Sequence, residues 1–211
     1  MICRKTLMGQ LATYISPNLP LIIILAVRGC YYVNNKFKDC YNMQTLAQLA
    51  AQVGERLIQR GWWIGAAESC TGGLLISTLT DIAGSSRYVA GGIISYSNAL
   101  KQALLDVNKS TLVAHGAVSE PTAHEMALGA LRRLNVDVAL SVTGIAGPGG
   151  GTPEKPVGLV YVGAALRESN AERVVVRRFQ WQGTREQNKR DSVGAALALV
   201  LELLPDHPNV V

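Results

Sequence analysis

The chain has 211 residues, 48% of them hydrophobic and 6% aromatic, with 21 glycines spread through the apolar segments. That is enough for one domain with a real core, and it excludes a disordered or fibrous chain. The net charge of +5 is uneven: Arg4, Lys5, Arg28, Lys36 and Lys38 against Asp39 put +4 in residues 1–42 and leave +1 for the remainder, so the body has no basic stripe for nucleic acid.

The leading segment differs from the rest in other ways. It holds Cys3, Cys30 and Cys40, three of the four cysteines, and Tyr14, Tyr31, Tyr32 and Tyr41, four of the seven tyrosines. It shows no amphipathic period. Leu19 to Val27 could be the apolar core of a signal peptide, although Pro17 and Pro20 interrupt the approach. A membrane anchor needs about 20 apolar residues and this run has about nine. The reading preferred here is an N-terminal extension, residues 1–42, lying upstream of the true start at Met43. Cys70 is then the single thiol of the body, which suits a reducing cytoplasm.

From Met43 the pattern alternates helix and strand. Leu46, Leu49, Ala50, Val53, Leu57 and Ile58 recur at helical spacing and predict one buried stripe, closed by Gly61. Trp62 to Ala67 reads as a short strand, followed by a helix that closes near Ala83-Gly84. Val89 to Tyr96 is apolar on both faces, as a central strand covered by helices would be. Asn98 is placed as the cap of a short helix, Lys109 to His115 as another helical turn, and Ser119-Glu120-Pro121 as the start of a helix reaching about Leu134. Asp137 to Val142, Gly158 to Leu166 and Arg173 to Trp181 read as strands, the last an edge. The link Arg167–Glu172 is too short for a crossover helix, so the last two strands form an antiparallel hairpin. A final helix runs from about Thr184 to Leu204. The predicted fold is a three-layer α/β/α domain over residues 43–205, with a mixed, mostly parallel sheet of about five strands and a short tail, 206–211.

Chemistry concentrates where strands end. The stretch AESCTGG, Ala67 to Gly73, puts the Ser69 hydroxyl on a strand-to-helix turn beside the first N–H groups of a helix, at Cys70, Thr71, Gly72 and Gly73. A nucleophile next to an oxyanion site is what acyl transfer needs; the same residues also suit an ordinary helix cap. None of His115, His124 and His207 is well placed as a base, so a serine–histidine–aspartate triad is poorly supported. Lys101, five residues beyond Tyr96, is the better candidate, because a desolvated lysine near a helix start has a lowered pKa. The alternative is a solvated lysine and a strand-end tyrosine. Thr143 to Gly151, TGIAGPGGG, has the composition of a loop that lets a ligand approach the backbone, with Gly144 and Gly147 as candidate substrate contacts, yet it is neither a P-loop nor GxGxxG. Glu68 could be a catalytic carboxylate or an acceptor of local backbone N–H groups. The acids show no metal-ligand spacing, and Cys70 lacks a partner for zinc.

AESCTGG, DIAGSSRYVAGGIISYSNALKQALL, HGAVSEPTAHEMALGA and SVTGIAGPGGGTPEKPVGLVYVG, in that order, closely resemble the CinA C-terminal domain family over about residues 43–204. The resemblance implies a three-layer α/β/α fold, a homodimer, and neither metal nor cofactor. It implies hydrolysis of the carboxamide of nicotinamide mononucleotide to nicotinate mononucleotide and ammonia, in pyridine nucleotide salvage. It carries Ser69 over as nucleophile and Lys101 as base, with Tyr96 and Thr143 at supporting positions. Many relatives have a preceding domain related to molybdopterin-binding proteins, which 42 residues cannot form. The expected partner is a small nucleotide substrate, with no nucleic acid and no membrane. Two other readings stand beside this one: a serine amidase acting on another small amide, and a nucleotide-binding regulatory module without turnover.

Overall fold

The computed structural model describes residues 31–33, 36–38, 45–169 and 171–204. It divides the chain into two compact units, Met1–Thr45 and Leu46–Val211. In the first, β1 (Tyr31–Val33) pairs antiparallel with β2 (Lys36–Lys38), Val33 opposite Lys36. The signal-peptide, anchor and upstream-extension readings of residues 1–42, and the 206–211 tail, otherwise fall outside the described residues. Among those residues no helix is long and apolar enough to cross a membrane.

The second unit opens with α1 (Leu46–Arg60), in which Leu49, Ala50, Val53 and Leu57 are buried at the expected spacing. Gly61, at φ +65°, lets the chain reverse so that the Trp62 N–H reaches the Leu57 carbonyl. Next come β3 (Ile64–Glu68), α2 (Leu74–Thr80), a 3-10 turn at Ser85–Arg87 and β4 (Val89–Ile94). Three helices follow: α3 (Asn98–Leu105), α4 (Lys109–His115) and α5 (Glu120–Arg133). The chain ends with β5 (Val138–Gly144), the hairpin β6 (Leu159–Arg167) and β7 (Glu172–Gln180), and α6 (Arg185–Leu203). Ser119 caps α5, and Thr184 with Gln187 forms a reciprocal capping box on α6.

The five strands are ordered β4-β3-β5-β6-β7. β3 pairs parallel with both β4 and β5, whereas β5–β6 and β6–β7 are antiparallel. Four strands therefore run one way and β6 runs against them, which is the mixed, mostly parallel sheet and terminal hairpin that the sequence predicts. Strand alternation sends Ile64, Ala66, Leu140, Val142 and Val162 to one face, where they pack with Leu49, Val53 and Leu57 of α1, Leu75 and Leu79 of α2, and Val193 and Leu197 of α6. Ala67, Ala139 and Ala165 point to the other face, against Leu105, Leu112, Met126 and Leu131. These small side chains let α5 lie close to the sheet. A Cβ on Gly163 would meet the Ala123 carbonyl at 3.0 Å.

Three local expectations are corrected. Val89–Ile94 is an edge strand, not a covered central one: half-buried and exposed residues alternate along it, and nothing pairs beyond it among the described residues. Its unbroken apolar run misleads because Gly91 and Gly92 have no side chains to mark a polar face. Ser97, not Asn98, caps α3, accepting from the Leu100 N–H at 3.2 Å. Finally, α2 starts late and stops early, at Leu74 and Thr80. Gly72 and Gly73, at φ +63° and +98°, hold the preceding turn in a left-handed conformation that cannot belong to the helix.

Candidate active site

Ser69 directly follows β3. Its N–H donates to the Val142 carbonyl at 2.9 Å, continuing the ladder to β5 and holding the residue against the sheet. Alternation along β3 sends Glu68 to the α2 side and Ser69 to the α3 side. There Lys101, in the first turns of α3, is fully buried, and its Nζ donates to Ser69 Oγ at 2.9 Å and to the Ser95 carbonyl at 2.6 Å, with the Tyr96 carbonyl at 3.5 Å. Burial pushes the Lys101 pKa down to about 8, an effect that a negative charge on Cys70 opposes. The opposite sign applies to Cys70 itself: burial pushes its thiol up to about 11, so it is a neutral thiol at neutral pH.

The turn after Ser69 differs in one respect from the open helix end expected from sequence. The Glu68 carboxylate accepts three backbone hydrogen bonds, from Gly73 at 2.9 Å, Leu75 at 3.1 Å and Ile76 at 2.9 Å. It fills the start of α2, which resolves its two sequence readings toward the local acceptor. Gly73, expected among the ligand-facing donors, has its N–H committed to Glu68. The N–H groups of Cys70, Thr71 and Gly72 have no acceptor elsewhere in the chain among the described residues. Two hydroxyls here are buried without a partner, Thr71 Oγ1 and Ser95 Oγ.

The other predicted positions are distributed as follows. Tyr96 is 65% exposed, and it is the main-chain oxygen, not the phenol, that lies near Lys101. Thr143 is buried near the end of β5, and its hydroxyl donates to the Ala117 carbonyl at 2.7 Å, tying the strand to the link between α4 and α5. Gly144 closes β5 where a Cβ would crowd the Leu159 carbonyl at 2.7 Å. Gly147, at φ +88° and followed by a cis bond to Pro148, accepts from Arg185 Nη1 at 2.7 Å. The structure thus brings Ser69 and Lys101 together, holds Thr143 near the end of β5 through other contacts, and turns the loop carbonyls toward α6.

Sequence reasoning missed Ser95, which sits at the end of an apolar strand with nothing to mark it. It also missed the basic start of α6, where Lys189 Nζ comes within 4.0 Å of the position a Gly72 Cβ would occupy. A signal for the second was present: Arg185 and Lys189 are four residues apart, hence on one helix face.

Fold and site together define a class, a three-layer α/β protein built around a buried serine–lysine pair at the carboxyl end of its parallel strands. The family model of the CinA C-terminal domain matches residues 46–204, and the chain belongs to that family. It is 51% identical over 141 residues to the nicotinamide-nucleotide amidohydrolase PncC of Enterobacter agglomerans, covering 67% of this chain and 84% of that one. It is also 51% identical over 187 residues to a CinA-like protein of Syntrophobacter fumaroxidans, covering 89% of this chain but 41% of the longer relative. Among solved structures, the competence/damage inducible protein CihA of Agrobacterium tumefaciens is 41% identical, with a TM-score of 0.72 over 75% of this chain and 94% of that one.

Proposed function

We propose that the chain is a nicotinamide-nucleotide amidohydrolase that releases ammonia from nicotinamide mononucleotide through a Ser69 acyl-enzyme. The observation that carries this is the 2.9 Å contact between a buried lysine Nζ and a serine Oγ. The identity to PncC over most of that relative's length supports the substrate.

With a pKa of about 8, roughly a tenth of Lys101 is neutral at pH 7. A neutral amine has two N–H donors and one lone pair. The Ser95 and Tyr96 carbonyls are placed to take the two donors, which aims the lone pair at the Ser69 hydroxyl. Lys101 takes that proton as Oγ attacks the carboxamide carbon, and the oxyanion forms against the N–H groups of Cys70, Thr71 and Gly72. The Lys101 ammonium returns the proton to the departing nitrogen, and ammonia leaves. Water, deprotonated by the now neutral Lys101, then cleaves the ester and releases nicotinate mononucleotide. Tyr96 and Thr143 act as supporting groups, Tyr96 through the carbonyl near Lys101 and Thr143 through the strand end it fixes.

The same proposal includes a cytoplasmic setting, suited to the free Cys70 thiol, a place in pyridine nucleotide salvage, and a homodimer. The edge of β4, unpaired among the described residues, and the exposed apolar side chains Ile94, Tyr96, Leu100 and Leu104 offer the surface a second copy would cover. The direct test is ammonia release from nicotinamide mononucleotide by the wild type, Ser69→Ala and Lys101→Ala. A loss of at least about 10³-fold in each variant is expected, and full activity in either would sink the mechanism.

A further inference from the structure

A cleft of about 370 Å³ lies between the start of α2 and the first turns of α6, lined by Leu74, Arg185, Glu186, Lys189 and Arg190. Three cations and one carboxylate give it a net charge of +2. None of the three cations is ion-paired with another described residue. Arg185 is anchored, Nη1 donating to the Gly147 carbonyl at 2.7 Å, and Asn188 fixes the neighbouring turn by donating to the Ala146 carbonyl at 3.0 Å. Lys189 is half-buried and approaches Gly72. Gly72 is three residues from Ser69, a reach of at most about 11 Å of chain.

We infer that this cleft holds the 5′-phosphate of the substrate, with Lys189 and Arg190 as its charged donors and Arg185 bracing the adjoining loop; the inference rests on the amidohydrolase reading for the identity of that substrate. A phosphate monoester carries nearly two negative charges at neutral pH, matching the cleft. Arginine and lysine together supply the forked and the point-charge donors that phosphate oxygens accept. The glycine-rich loop is the less suitable holder on this side, because the groups it turns to α6 are the carbonyls of Ala146 and Gly147, which repel an anion. With the carboxamide at Ser69, the pyridinium ring and ribose would bridge the Cys70–Gly73 turn to reach Lys189. Selection for the phosphorylated amide over the free nucleoside is then a property of α6, not of the dyad.

The test uses ribose 5-phosphate, which has the phosphate and no carboxamide, titrated calorimetrically into the full-length wild type, Ser69→Ala, Lys189→Gln and Arg190→Gln. Wild type and Ser69→Ala should bind it alike, and each α6 variant should bind it about 10- to 100-fold more weakly. In kinetics, the preference for nicotinamide mononucleotide over nicotinamide riboside should fall by a similar factor in Lys189→Gln, through KM rather than kcat. Unchanged ribose 5-phosphate binding in both α6 variants, or no binding by wild type, would overturn the inference. Wild type that binds ribose 5-phosphate in a Lys189-dependent way yet releases no ammonia would overturn the amidohydrolase reading and leave the phosphate cleft standing.

Discussion

Ser69 and Lys101 are 32 residues apart and meet because of two short-range facts: strand alternation turns Ser69 away from Glu68, and Ser97 starts α3 early enough to bring Lys101 back over the strand end. The lowered pKa gives two measurable consequences. Since the base must be neutral, kcat/KM should rise with pH through an apparent pKa of about 8 and level off above it. For stability the sign is the same over a narrow window. Lys101 is deprotonated in the folded state above about 8 but stays protonated in the unfolded chain up to its ordinary value near 10.5, so stability rises with pH from about 8. Cys70 acts oppositely: its folded pKa of about 11 lies above the ordinary 9, so above pH 9 the unfolded thiol ionises first and stability falls. Urea midpoints should therefore climb between pH 8 and 9 and flatten beyond. In Lys101→Met the climb should vanish and only the fall remain. The pairing of serine with lysine was legible in the sequence, because no histidine was usable. The Ser95 carbonyl was not, since a main-chain acceptor leaves no mark on residue identity.

At the scale of elements, α2 and α3 are held by contacts that can be removed one at a time. Glu68 satisfies three N–H groups at the start of α2, a position where each lost hydrogen bond costs on the order of 1 kcal/mol. Glu68→Ala should lower stability by about 2–4 kcal/mol in denaturant titration and disturb the turn that carries Ser69. Gly129 allows α5 to touch the end of α3, where an added Cβ would overlap the Leu105 carbonyl. Gly129→Ala is expected to cost about 1–3 kcal/mol and to reduce kcat by displacing α3, which carries Lys101. Sequence periodicity located every helix of the second unit and each of its strands within a few residues. It misjudged β4, because an apolar strand with paired glycines looks the same at an edge as at the centre. It misjudged the length of α2, because two consecutive glycines delay a helix without breaking its hydrophobic period.

For the molecule as a whole, the family match and the second compact unit cover nearly the same residues, 46–204 and Leu46–Val211. A chain beginning at Met43 is expected to keep the full rate of ammonia release, with a loss beyond about tenfold showing that the leading segment contributes to the site. Sedimentation of the full chain should give twice the monomer mass. A charge at Ile94, as in Ile94→Asp, should shift it toward the monomer, because that residue is 52% exposed beside a strand edge unpaired among the described residues. The order of the sheet was only partly readable: local separation revealed the β6–β7 hairpin, but placing β3 between β4 and β5 depends on long-range pairing that no segment displays alone.

Glu68 also bears on how turnover finishes. Amide hydrolysis converts a neutral carboxamide into a carboxylate at the very spot where the oxyanion was held, and an uncapped helix start binds carboxylates well. Here that positive pole is already occupied by a carboxylate of the protein's own. In the proposed mechanism the newly formed acid therefore keeps only the N–H groups of Cys70, Thr71 and Gly72 and gains nothing from the start of α2, which limits how tightly product is held. Inhibition by nicotinate mononucleotide should accordingly be weak, with a Ki above the KM for the amide.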